Sequence, residues 1–311
     1  MTVNSENYRG YLRFGEIAGI TEQEIIDTFT GITSMNIVDS SEGQEYESYL
    51  MPSILPTPPE PPVLELTWNN ISNVPVGDAG SVSDWNTFFD LPTNGSGFTS
   101  IVVNGNIVTL HGGNNITIKD NRFIGNTNII KVIDTGCVIK IGITAFSNCT
   151  NLTDVSFLAC LETVGLMSSS AYGSFSSCGA LQNANFPVLT KAGAGTFSYC
   201  ASLTSLNLPA LTTTGIQCFY HCNLLTSLNF PALKTIADYT FYYCIHLITL
   251  SLPLCTNLGG TVGNNNVLNG ISTLKTLTIP SALMYCNTGS TPDGDIAAAL
   301  IANPTLNIIE V

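Results

Sequence analysis

The chain has 311 residues, 44% of them hydrophobic and 10% charged, with a net charge of −13. That is enough apolar material for a sizeable core and too little charge for a disordered chain. Nine scattered Lys and Arg argue against a nucleic-acid partner and against a basic membrane-surface contact. No apolar run reaches the roughly 18 residues that insertion across a bilayer needs.

Residues 1–50 form an acidic segment, with nine Asp and Glu against Arg9 and Arg13. Met1 to Gly10 lacks the basic-then-apolar layout of a secretory signal. Thr21 to Phe29 reads as a short helix, because Thr21 with Glu24 makes a capping box and Ile25, Ile26 and Phe29 share an apolar face. One such helix cannot fold alone, so this face is the candidate anchor to a larger protein assembly. Residues 51–62 hold six prolines in twelve positions and read as a semi-rigid linker.

Residues 63–121 read as a small α+β module. Val63 to Trp68 is a strand, Ser83 to Asp90 a helix capped by Ser83, and Phe98 to Leu110 a hairpin turning on Asn104-Gly105. The module either caps the repeats downstream of it or is a separate binding domain; a cap is obligatory for a repeat array, a second domain is not.

From residue 122 the chain repeats. Phe197, Cys200, Leu203, Leu206, Leu208 and Pro209 return 22 residues later as Phe219, Cys222, Leu225, Leu228, Phe230 and Pro231, and again as Phe241, Cys244, Leu247, Leu250, Leu252 and Pro253. The opening residue recurs at Phe123, Phe146, Phe175, Phe197, Phe219, Phe241, Leu268 and Leu300, giving about eight repeats in residues 122–311. A period of this size predicts a β-rich solenoid in which each Leu-x-x-Leu-x-Leu supplies a short strand of a parallel sheet. The column Val132, Val155, Ala184, Leu206, Leu228, Leu250, Leu277 and Ile309 is expected in one register. Longer spacings place loops at 168–172, 259–266 and 287–295, and the last repeat, a small helix from Asp295 followed by a strand, reads as a second cap.

The string Phe197-Ser-Tyr-Cys200-Ala-Ser-Leu203-Thr-Ser-Leu206-Asn-Leu208-Pro209 resembles the BspA-like leucine-rich repeats of bacterial surface proteins. The resemblance runs over residues 123–311 and implies a leucine-rich-repeat solenoid with a role in adhesion to proteins or cell surfaces. The acidic N-terminal part carries no such resemblance.

Three sets of residues are candidate sites. The cysteine column (Cys149, Cys178, Cys200, Cys222, Cys244) has no C-x-x-C pair to converge on a metal, so free buried thiols and no metal or other cofactor are expected. A polar row, including Asn183, Asn185, Asn207, Ser227 and Thr249, is either a glycan-binding face or an ordinary solvated sheet surface. Tyr199, Tyr220, His221, Tyr242, Tyr243 and His246 flank the cysteine position in successive repeats and form either a recognition patch or rung-on-rung packing. No catalytic constellation stands out: the acids past residue 122 do not pair by repeat register, and no nucleophile-elbow or P-loop motif occurs.

The expectation is a non-enzymatic recognition protein that binds a host surface protein or glycan through its repeats and can form homo-oligomers. Adhesin-like repeats without an export signal point to a virion surface, as a phage head-fibre, decoration or tail-fibre protein held through residues 1–50. A bacterial cell-surface adhesin is the alternative.

Overall fold

A computed structural model describes residues 36–38, 45–48, 62–76, 80–91, 97–113, 115–158, 161, 163–165, 173–259, 266–284, 296, 299–301 and 303–311. The chain divides into two compact units, Met1–Pro61 and Pro62–Val311. In the first, β1 (Asn36–Val38) pairs antiparallel with β2 (Glu45–Ser48). The expected helix from Thr21 with its anchor face Ile25, Ile26 and Phe29, the proline-rich stretch 51–61, and most of the three expected repeat loops lie outside the described residues.

The second unit opens with β3 (Val63–Trp68), α1 (Val82–Phe88), β4 (Ser100–Asn104) and β5 (Ile107–His111). The elements are those expected, with two local corrections. Helix α1 is capped by Ser81, not Ser83: the Ser81 hydroxyl accepts from the Asp84 N–H, and the Asp84 carboxylate accepts from Ser81. A capping box sets its two partners three positions apart, and Ser81 has Asp84 at that distance. The hairpin turns on Gly105-Asn106, since Asn104 pairs with Ile107. Gly105 takes the positive φ (57°) at the first turn position, where glycine meets no steric penalty.

The coils then supply two parallel ladders. One consists of β6 (Ile116–Ile118), β8 (Val138–Ile141), β10 (Thr163–Val164), β12 (Lys191–Ala192), β14 (Thr213–Thr214), β16 (Thr235–Ile236) and β18 (Asn257–Leu258), in that order across the sheet. The other carries the leucine strands: β7 (Ile129–Asp134), β9 (Asp154–Phe157), β11 (Asn183–Asn185) and β13 (Ser205–Asn207), then β15 (Ser227–Asn229), β17 (Thr249–Ser251), β19 (Thr276–Ile279) and β20 (Asn307–Glu310). A short helix, α2 (Ser281–Met284), comes after β19, and Ile296, Ala299, Leu300 and Ile301 are helical. The leucine sheet is two blocks, with β13 ending one and β15 starting the next; Leu206 at that break is half-buried where Leu228 and Leu250 are buried. Register follows the repeat, Val132 on Val155, Val155 on Ala184, and Leu228 on Leu250 on Leu277. The last strand is shifted by one residue: Leu277 meets Ile308, not Ile309. Ile308 packs against the core two positions after the buried Leu306, which leaves Ile309 pointing out, 43% exposed.

The core is one contiguous cluster, and its spine is a stack of phenylalanines. Phe123, Phe146, Phe175, Phe197, Phe219 and Phe241 lie face to face with centroids 4.9 to 5.7 Å apart and ring planes within 2° to 7°. Beside each ring after Phe123 the repeat cysteine donates its thiol hydrogen to the carbonyl of the preceding coil's phenylalanine, as Cys222 Sγ does to Phe197 O at 3.1 Å and Cys244 Sγ to Phe219 O at 3.2 Å. At the stack's N-terminal end, Phe88, Phe89 and Trp68 cover Phe123 at 5.3, 6.1 and 6.4 Å, and β3 pairs antiparallel with β7. The stretch 63–121 thus packs aromatic side chains on the first coil and supplies β6 to the coil ladder.

Asp134 closes the β7–β8 turn, its Oδ1 accepting from the Cys137 and Val138 N–H groups at 2.8 and 3.1 Å. Burial pushes its carboxyl up to about 6, against the pull of those N–H groups.

This packing sets two expectations for stability. Phe219→Ala removes a ring stacked on both sides and should cost about 3–5 kcal/mol in equilibrium unfolding by denaturant. A carboxyl whose pKa rises from 3.8 to about 6 on folding favours the folded state at low pH. Its contribution is full below pH 3.8 and is lost as pH climbs through 6, so wild type should lose stability relative to Asp134→Asn over that range in parallel denaturant titrations.

Candidate functional site

The corner after each stacked phenylalanine, and after Leu268 in the next coil, is a tight turn with a left-handed residue two positions on. These residues are Gly125, Asn148, Ser177, Tyr199, His221, Tyr243 and Gly270, with φ between 58° and 80°. A second left-handed residue lies two positions before the phenylalanine at Asn121, Thr144, Gly195, Gln217 and Tyr239. This backbone keeps the central ring inside and throws the side chain at the left-handed position outward.

In the central coils the outward residues are aromatic. Tyr199 stacks on His221 at 5.1 Å (13°), and His221 on Tyr243 at 4.9 Å (6°). A second column runs alongside, with Tyr220 on Tyr242 at 5.3 Å (4°). The two are joined by Tyr199–Tyr220, His221–Tyr220 and Tyr243–Tyr242 contacts. Tyr239 packs edge-on against Tyr242 at 5.5 Å. The first column runs from Ser177 in the coil before to Gly270 in the coil after, where an added Cβ would lie 3.1 Å from the Tyr243 ring. Tyr199 and Tyr243 are 50% and 42% exposed.

Five of the six aromatic residues picked out by sequence thus converge. His246 stands apart: its Nδ1 is 2.7 Å from the carbonyl of Asn223, and among the described residues it makes no ring contact with the columns. Tyr239 belongs to the patch without any mark in the sequence, because its position holds Asn, Thr, Gly or Gln in the other coils and only the turn geometry relates it to the rest. Leu224, Ile245 and Ile248, in the same coils, are 44%, 39% and 40% exposed.

The patch is neutral. Burial lowers the His221 pKa, favouring the uncharged imidazole. Burial, followed by the neighbouring phenols of Tyr199, Tyr242 and Tyr243, raises that of Tyr220. Because the rings spend most of their faces on each other, the surface offers ring edges and hydroxyl groups repeating once per coil.

The polar row behaves differently. Asn183 Nδ2 donates to Asp154 Oδ1, Asn207 Nδ2 to Asn185 Oδ1 at 2.7 Å, and Thr249 Oγ1 to Ser227 Oγ at 2.6 Å. These side chains pair along the sheet, so much of their hydrogen-bonding capacity is already used. Among the described residues no group of three His, Cys, Asp or Glu side chains could hold a metal, and no helix is long and apolar enough to cross a membrane.

The column thiols are buried, and burial pushes those of Cys200 and Cys244 up to about 12. In the folded chain at about pH 8, a thiol-reactive reagent should leave Cys149, Cys178, Cys200, Cys222 and Cys244 unmodified, and denaturant should release all of them to labelling, as read by peptide mass mapping.

A family model described as BspA type leucine rich repeat region matches six copies, over residues 116–248 and 168–290, together more than half of the chain. Similar crystal structures include a leucine-rich repeat protein from Bacteroides ovatus, 21% identical over 59% of this chain and 42% of that one, with a TM-score of 0.43. The T. pallidum leucine rich repeat protein is 17% identical over 70% of this chain and 80% of that one, with a TM-score of 0.39. A leucine rich cell surface protein from Faecalibacterium prausnitzii is 17% identical over 68% and 67%, with a TM-score of 0.32. No curated protein matches the chain significantly.

Proposed function

We propose that this chain, which belongs to the BspA-type leucine-rich-repeat family, is a non-enzymatic adhesin of a bacterial cell surface whose contact surface is the aromatic corner from Tyr199 to Tyr243. The observation that carries this reading is the backbone under the rings. A left-handed conformation costs a non-glycine residue about 1–2 kcal/mol, and the same turn position is met with glycine at 125 and 270 and asparagine at 148. A ring pair returns about 0.5–1.5 kcal/mol. Tyr199, His221 and Tyr243 form two such pairs across three left-handed sites. The column gains the fold little, so its use is at the surface.

A neutral array of ring edges and hydroxyls suits a glycan or a polar protein surface, and tyrosine is favoured where one group must offer both apolar area and a hydrogen bond. The coils bury their thiols and present phenols, which supports contact rather than chemistry. Family membership favours the cell-surface reading over the virion part expected from the N-terminus. Attachment through residues 1–50, with Ile25, Ile26 and Phe29 as its apolar face, remains part of the proposal.

The test is binding of the full chain to immobilised extracellular-matrix glycoproteins, with and without enzymatic deglycosylation. The double substitution Tyr199→Ala with Tyr243→Ala should weaken binding at least about tenfold while costing only about 1–3 kcal/mol in unfolding, the worth of the two ring pairs, since alanine keeps the left-handed strain. Unchanged binding by that variant would refute the assignment of the site. Loss of binding on deglycosylation would identify a glycan ligand, and its persistence a protein one.

A further inference from the structure

Strand β4 ends the seven-stranded sheet, pairing with β5 on one side and, among the described residues, with no strand on the other. The register sets Ile101 opposite Leu110 and Val103 opposite Val108. Leu110 and Val108 are fully buried, yet Val103 is 45% exposed, and Val102 on the opposite face is 52% exposed. Both faces of β4 therefore hold branched apolar side chains at a rim that one more strand would cover.

Proteins usually blunt such an edge with charge, proline or a bulge, because its free N–H and C=O groups template further pairing. This edge has none of these. Residues 98–110 contain no charged residue and no proline, and the β4–β5 register runs without a shift.

We propose that β4 is a homodimerisation strand, pairing antiparallel with β4 of a second copy about a two-fold axis through Val102. Read in either direction the strand is polar, three branched apolar residues, polar (Ser100-Ile101-Val102-Val103-Asn104), so two copies laid antiparallel set side chains of like kind opposite each other, the self-complementarity that an isologous patch needs. About that axis Val102 meets the same residue of the second copy, Ile101 lies across from Val103, and Ser100 from Asn104. A foreign strand would place no such symmetry on the sequence. Charge favours the same place: two copies at −13 each repel, and least along a neutral strand. A single short strand pair makes a small interface, so the dimer forms at high protein concentration and dissociates on dilution.

The test uses the full chain in sedimentation and cross-linking. Wild type should move from monomer to dimer as concentration rises. Val102→Lys, on an exposed face, should raise the dissociation constant at least about tenfold with an unchanged circular dichroism spectrum. The register is read independently by cysteine trapping, because residues directly opposite across an antiparallel pair come within disulfide range. Val102→Cys should form a disulfide dimer under mild oxidation well above the level of the parent chain, whereas Ser100→Cys and Asn104→Cys should not. A monomeric wild type at all concentrations would overturn the proposal, and one with β4 amides protected from hydrogen exchange would put another segment of the chain on the edge. A dimer indifferent to Val102→Lys, or trapped equally from positions 100 and 104, would overturn it as well.

Discussion

Everything in the second unit hangs on one contact repeated: the face of each coil's phenylalanine on the face of the next. Six rings from Phe123 to Phe241 stand parallel within 2° to 7°. Each needs the coil on either side to bury it, so no coil is stable alone and the array behaves as a one-dimensional assembly. The cysteine beside each ring fits the same logic. It is small and apolar enough for the interior, and its thiol meets a carbonyl of the turn in the coil before. The first ring would face water were it not for Phe88, Phe89 and Trp68, and that is why the module before the repeats has an aromatic core.

The same stacking explains how a surface arises. Turning the chain sharply after each buried ring requires a left-handed residue, and that residue points outward in every coil. Whatever occupies it is repeated along the solenoid at the coil spacing. With Asn148 and Ser177 the result is a plain polar corner; with Tyr199, His221 and Tyr243 it is a column of rings. Core and surface periodicities are one periodicity seen from two sides.

This also marks what can be read from residues alone. The 22-residue recurrence of Phe, Cys and Leu has a single interpretation, because large apolar residues at a fixed period must stack. The second ladder leaves no such mark: several of its strands have two residues, too short for alternation to register, and its inward positions change from Ile141 to Ala192 to Thr214. The glycines behind it are a usable signal. Gly142 and Gly215 lie where a Cβ would meet the neighbouring backbone at 2.5 and 2.4 Å, so close approach of coils holds that column. The convergence of Tyr199, Tyr220, His221, Tyr242 and Tyr243 is legible because they share repeat positions. His246 misleads because it is near the others in sequence and not in space, and Tyr239 escapes notice for the converse reason.

The most direct measurement is a ring-to-ring distance in solution. In a deuterated chain with protonated phenylalanine rings, nuclear Overhauser contacts should link Phe197 to Phe219 and Phe219 to Phe241, whose centroids lie at 5.6 and 5.7 Å. A folded, cooperative chain in which those contacts are missing would contradict the stacked-coil account at its base.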